Sequence, residues 1–138
     1  MSNAVVYLAG KMTGLTVKEM SEWRNKATEL LWERFGISTL NPVNTDFGEN
    51  CADQEIIHSN DYMIKHSDLL LVELDWESEF SIGTVAEIVE ARRQGKPIIV
   101  WGTAYGIINH PHIRGRFTRH FEKLEDAINY IGKNYKKA

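Results

Sequence analysis

Three short runs of almost unbroken apolar residues, Val5-Val6-Tyr7-Leu8-Ala9, Leu69-Leu70-Leu71-Val72-Glu73-Leu74 and Ile98-Ile99-Val100-Trp101, set the terms on which this chain can fold. A strand with one wet face alternates polar and apolar residues, whereas a strand apolar on both sides has to be covered on both. Segments with helical spacing lie between these runs: residues 17–35, closed by Gly36; residues 53 to about 67, with Asp53 as the expected cap; and a segment that opens near Ser81 and ends at Gly95-Lys96-Pro97. A further strand, Ile37-Ser38-Thr39-Leu40, is stopped by Asn41-Pro42, and residues 121–135 read as a terminal helix. Strands and helices in alternation imply a parallel sheet reached by right-handed crossovers. The expected fold is therefore α/β, a Rossmann-like or flavodoxin-like three-layer sandwich around a central parallel sheet of four to five strands. No linker or repeat divides residues 1–138, which read as a single domain.

Composition removes several function classes. A net charge of −3 argues against a dedicated nucleic-acid or membrane surface, while leaving room for a local cationic site. The one cysteine, Cys51, excludes internal disulfides and fits a reducing compartment or a small buried hydrophobe. There is no charged-then-apolar leader and no apolar run near eighteen residues, so the expected location is the cytoplasm. The first loop, Ala9-Gly10-Lys11-Met12-Thr13-Gly14, is neither a dinucleotide fingerprint nor a Walker A loop, and no cofactor is expected. His110-Pro111-His112 lacks a third ligand at a recognisable spacing, so no metal is expected either.

In open α/β sheets ligands bind beyond the carboxyl ends of the strands, and helix starts there present unpaired N–H groups to anions. Glu87 sits early in such a helix, after the run Leu69–Leu74 and the small residues Ser81-Ile82-Gly83-Thr84. Periodicity places Val85, Ile88, Val89 and the stem of Arg92 on the buried stripe and Glu87, Glu90 and Gln94 on the polar face. On that reading Glu87 is a solvated glutamate; a carboxylate at the same place can also attack a sugar carbon. Asp68 stands at a helix C-terminus, where its charge opposes the dipole, and either caps local backbone or points into the crevice. Asp61 reads as part of a solvated cluster with His58 and Lys65.

Taken in order, Val6-Tyr7-Leu8-Ala9-Gly10-Lys11-Met12-Thr13-Gly14, Asn41-Pro42, Ser67-Asp68-Leu69-Leu70-Leu71-Val72, Gly83-Thr84-Val85-Ala86-Glu87 and Gly95-Lys96-Pro97 resemble the nucleoside 2-deoxyribosyltransferase superfamily over roughly residues 5–131. The pattern is most similar to small phage and bacterial members whose first loop reads Ala-Gly-Pro-Met-Thr-Gly; this chain has Lys11 at the proline. The resemblance implies a glutamate nucleophile at Glu87, a tyrosine at Tyr7 that holds it, and an acid at Asp68 that contacts a sugar hydroxyl or assists protonation. Ser81 matches a serine beside the phosphate of hydrolases that act on 5′-monophosphates, where the nucleoside transferases have an aspartate. The implied activity is N-glycosidic cleavage of a nucleoside 5′-monophosphate, with base exchange on nucleosides or a non-catalytic nucleotide-binding module as alternatives. Gly10, Lys11, Met12, Asn41, Ser81 and Gly83 are the expected substrate contacts, with Trp76 and Phe80 as further candidates to line a base pocket. A homodimer or larger assembly is implied, with Asn109 and neighbouring His110 reaching across to the other subunit's site. The base, and ribose against deoxyribose, stay open.

Overall fold

The computed structural model describes residues 4–48, 50–76 and 81–137. Five strands, β1 (Val5–Ala9), β2 (Ser38–Leu40), β3 (Leu69–Glu73), β4 (Ile98–Trp101) and β5 (Arg119–Phe121), form one sheet in the order β2-β1-β3-β4-β5. Every pairing is parallel. The helices are α1 (Val17–Phe35), α2 (Asp53–Lys65), α3 (Ile82–Arg93), the short α4 (Tyr105–Ile108) and α5 (Pro111–Arg114), and α6 (Leu124–Asn134). The α/β sandwich and its parallel sheet are as the apolar runs require.

Strand alternation builds two cores. Val6, Leu8, Leu69, Leu71 and Ile99 face α1 and α6 and pack with Trp23, Ala27, Leu31, Ile128 and Ile131. Tyr7, Ala9, Leu70, Val72, Ile98 and Val100 face the other way, towards Ile64 of α2 and Ile88 and Ala91 of α3. The central strands β1, β3 and β4 are covered on both faces, which accounts for their lack of a polar period. The chain leaves β1 outward to β2 and then returns past it to β3, so the topology reverses between β1 and β3. Their carboxyl ends, Ala9 and Glu73, therefore open on the crevice where such sheets bind ligands.

Local chemistry sets the helix ends. Thr16 and Glu19 form a reciprocal capping box at the start of α1, and Gly36 adopts φ 65° at its end. There Gly36 N–H reaches the Trp32 carbonyl at 3.0 Å and Ile37 N–H the Leu31 carbonyl at 3.1 Å, a Schellman closure that favours glycine. Two expectations change. Ala52, not Asp53, is the cap residue of α2, with Glu55 folding back to accept from Ala52 N–H at 3.1 Å. The terminal helix begins at Leu124, because Arg119-His120-Phe121 is an edge strand too short and polar to show a strand pattern.

Candidate active site

Tyr7, in the middle of β1, is fully buried, and its phenol donates to Oε2 of Glu87 in the second turn of α3. Glu87 is thus turned inward, against the periodicity reading. The residues that α3 buries are Thr84, Ile88 and Ala91, so Glu87 shares their side of the helix, while Val85 and Val89 are half-buried and Arg92 is exposed. Apolarity alone found Ile88 and Val85 but missed that Thr84, Glu87 and Ala91 share the inward side.

Burial pushes the Glu87 carboxyl up to about 7, against the Tyr7 hydrogen bond and the Arg24 charge, which pull it down; the charge of Asp61 adds to the rise. Tyr7 is raised too, first by burial and then by the Glu87 charge. Asp61 on α2, read as solvated, is half-buried, and its own carboxyl is raised by burial and then by Glu90. Its charge reaches both Glu87 and Tyr7. It is thus electrostatically coupled to the Tyr7–Glu87 pair, a link that its reading as a solvated residue did not anticipate.

Two further charged residues were not foreseen. Arg24 of α1 is fully buried, donating from Nη1 to the Met20 carbonyl at 2.8 Å and from Nη2 to the Gly10 carbonyl at 3.0 Å. Its guanidinium lies 5.0 Å from the Trp23 ring centroid, and its charge is felt by Glu73, Glu87 and Tyr7. The spacing Met20, Arg24, Ala27, Leu31 places it on the buried stripe of α1, a signal present in the sequence. Glu73, the last residue of β3, is 6% exposed, and its Oε1 accepts from Trp76 Nε1 at 3.0 Å. Burial pushes its carboxyl up to about 7. An acid inside an apolar strand run was the available sign.

Gly10 has to be glycine: a Cβ there would meet Trp23 Cζ2 at 2.9 Å and Glu73 Cβ at 3.1 Å. Lys11 is buried, with its ammonium 5.6 Å from the Trp76 ring centroid. Lys11, Glu73, Leu74, Trp76, Ser81 and Ile107 line one small cavity, so the first loop and the start of α3 do converge. Ser81 caps α3, its Oγ accepting from Thr84 N–H at 3.3 Å and lying 2.7 Å from Thr84 Oγ1. Gly83 is exposed with open space where a Cβ would stand, so packing does not demand glycine.

Met12 is half-buried in the first loop, its carbonyl bonded to Leu15 N–H at 3.1 Å. Asn41, at the carboxyl end of β2, uses Oδ1 to accept from Val43 N–H at 3.0 Å. Asn109 and His110 are exposed around α4 and α5. Phe80 lies outside the described residues.

Asp68 is not brought to this site. It precedes β3, at the amino end of the sheet, with Val5 N–H donating to Oδ2 at 2.8 Å and Lys137 Nζ 2.7 Å from Oδ1. Five strand residues, roughly 16 Å, separate it from the crevice. Its position against the helix dipole is explained by these two partners, not by a substrate. Asp68→Ala is accordingly expected to cost about 1–2 kcal/mol of stability in denaturant unfolding, through the lost partner of Val5 N–H, and to leave turnover at the Glu87 site within about twofold.

Residues 4–100 match the family described as "Domain of unknown function (DUF4406)". No curated protein matches the sequence. Among solved structures, the 2-deoxyribosyltransferase of Bacillus psychrosaccharolyticus is 21% identical, with a TM-score of 0.71 and 92% of each chain covered. The 2-desoxiribosyltransferase of Leishmania mexicana is 18% identical with a TM-score of 0.70, over 96% of this chain and 99% of that one. The CMP N-glycosidase BcmB of Clostridium botulinum is 20% identical with a TM-score of 0.59, over 92% of this chain and 97% of that one. At such identities the likeness is one of fold, and the chemistry has to be argued from side chains.

Proposed function

The chain belongs to the DUF4406 family, and from that premise and the geometry above we propose that it is an enzyme that cleaves the N-glycosidic bond of a nucleoside 5′-monophosphate, with Glu87 as nucleophile. The observation that carries this reading is the Tyr7–Glu87 pair: a buried phenol holding one oxygen of a carboxylate on the helix that follows β3. The other oxygen attacks the anomeric carbon as the bond to the base breaks, giving a glycosyl ester on Glu87. Asp61, in its protonated form, gives its proton to the departing base; as carboxylate it then takes one from the water that hydrolyses the ester. The burial-raised carboxyl of Asp61 suits the first of these duties.

The fold it shares with a CMP N-glycosidase and two deoxyribosyltransferases supports the reaction class. The preference for a phosphate rests on Lys11 and Ser81, which line one cavity at the start of α3, where helix N–H groups also favour an anion. Base exchange on nucleosides is the second reading, and Glu73 favours it, because a carboxylate in that cavity opposes a phosphate. In a panel of nucleosides and 5′-monophosphates, free base without an acceptor supports hydrolysis, exchange only with added base means transfer, and affinity without release means a binding module.

Ser81→Asp should weaken 5′-monophosphate binding by at least tenfold with a much smaller effect on the matching nucleoside, since it sets negative charge against the phosphate. Equal changes for both would leave Ser81 as a helix cap and remove the phosphate preference. We also propose a homodimer in which Asn109 and His110 serve the neighbouring site; Ile82 of α3 is 76% exposed and suits such a contact. None of the described helices is long and apolar enough to cross a membrane.

A further inference from the structure

Among the described residues Glu73 is a buried acid that neither cleavage nor nucleophile positioning uses, and it lies beside Ser81, where the N-glycosidase reading puts the substrate's 5′ group. It closes β3 at the crevice and, with Lys11 and Ser81, lines a small hollow of about 10 Å³, room for about one water molecule. Trp76 fixes the carboxyl by donating to Oε1 at 3.0 Å, and Gly10 packs against its Cβ. We propose that Glu73 selects the 5′ group of the substrate, accepting a hydrogen bond from a sugar 5′-hydroxyl when ionised and donating one to a phosphoryl oxygen when protonated. The location of the 5′ end rests on the N-glycosidase reading above.

The charges around Glu73 come from several elements. Lys11 of the first loop and Arg24 of α1 favour its ionised form, and Asp75, just beyond β3, opposes it. On its far side Glu73 and Trp76 wall a cleft of about 340 Å³ whose other charged residues are Glu19, Glu22 and Lys26 of α1. Burial outweighs the two cations and leaves the carboxyl at about 7, so both forms are populated near neutral pH. A phosphate at the mouth of this hollow adds negative charge and draws a proton onto Glu73; a 5′-hydroxyl needs an acceptor and leaves it ionised. Substrate preference therefore changes with pH: monophosphate on the acid side, nucleoside on the alkaline side.

Between pH 6 and 8 the protonated fraction of such a carboxyl falls from about nine-tenths to about one-tenth, which weakens monophosphate binding about tenfold by reducing the competent population. The phosphate's own second ionisation, near 6, acts in addition and is common to every variant. The test is calorimetric titration at pH 6, 7 and 8 in the Glu87→Gln background, so that substrate is not consumed. The ligands are the common ribo- and deoxyribonucleoside 5′-monophosphates and the matching nucleosides, and base release by the parent enzyme is measured in parallel. With the monophosphate, uptake of about half a proton at pH 7 and close to one at pH 8 is the expected result after correction for the phosphate, and with the nucleoside release of about half a proton at pH 7. Adding Glu73→Gln, which still accepts from Trp76 and always presents a donor, should abolish that uptake, flatten the residual pH dependence for the monophosphate and weaken the nucleoside.

Absence of uptake in the parent background, or an equal effect of Glu73→Gln on both ligand classes at every pH, overturns the assignment. If the parent releases base while these tests fail, only the role of Glu73 falls. If uptake and selectivity appear but the parent releases no base, Glu73 stands as the selector of a binding site and the catalytic reading falls. If no ligand binds and no base is released, both fall.

Discussion

Glu87→Gln is expected to reduce base release on the order of 10⁴-fold or more, because it removes the electron pair that forms the glycosyl-enzyme bond while preserving the acceptor for the Tyr7 phenol. Glu87→Ala should do the same. Initial rates of base release decide it: turnover by Glu87→Gln within tenfold of the parent would sink the nucleophile assignment. The parent rate should rise with pH through about 7, as Glu87 ionises. The same raised carboxyl has a stability consequence of known sign. An acid whose folded value lies above its unfolded one binds more protons in the folded state, so stability falls as pH rises from about 4.5 through about 7. Glu87→Gln removes that contribution, and chemical unfolding above pH 7 should find the variant as stable as the parent or more so.

What could be read from the chain divides by physical cause. The apolar runs at Val5–Ala9, Leu69–Glu73 and Ile98–Trp101 gave the sheet because strands covered on both faces leave a composition that little else produces. Arg119–Phe121 stayed hidden because an edge strand of three residues is held by its neighbour's backbone and needs no apolar pattern. Resemblance drew attention to Tyr7, Gly10, Lys11, Ser81 and Glu87, and the structure pairs Tyr7 with Glu87, sets Lys11 and Ser81 on one cavity and packs Gly10 against Glu73. It gave Asp68 a role that its strand position does not permit: an acid just before β3 lies at the amino end, with Val5 and Lys137. Asp61, Arg24 and Glu73 were passed over for a shared reason. A charged residue is most economically read as solvated, and only tertiary contacts reveal which charges are folded inward.

Arg24 carries the largest expected effect on the scaffold itself. Arg24→Met keeps much of the stem that packs against Trp23 but leaves the Met20 and Gly10 carbonyls without their charged donors and the two raised carboxylates without their common counter-charge. Relief from burying a guanidinium offsets part of this, and a net loss of about 2–4 kcal/mol is expected in denaturant unfolding. Lysine should not rescue it, since one ammonium cannot reproduce a fork that reaches a carbonyl in its own helix and another in the first loop. A merely structural arginine would stop there. Because its charge lowers both Glu73 and Glu87, its removal should also move the rising limb of the pH–rate profile to higher pH, with kcat at pH 6 falling more than kcat at pH 8. Lost stability with an unmoved profile would show that Arg24 holds the Gly10 loop without tuning the nucleophile; a moved profile ties the buried charge on α1 to the chemistry on α3, on the opposite face of the sheet.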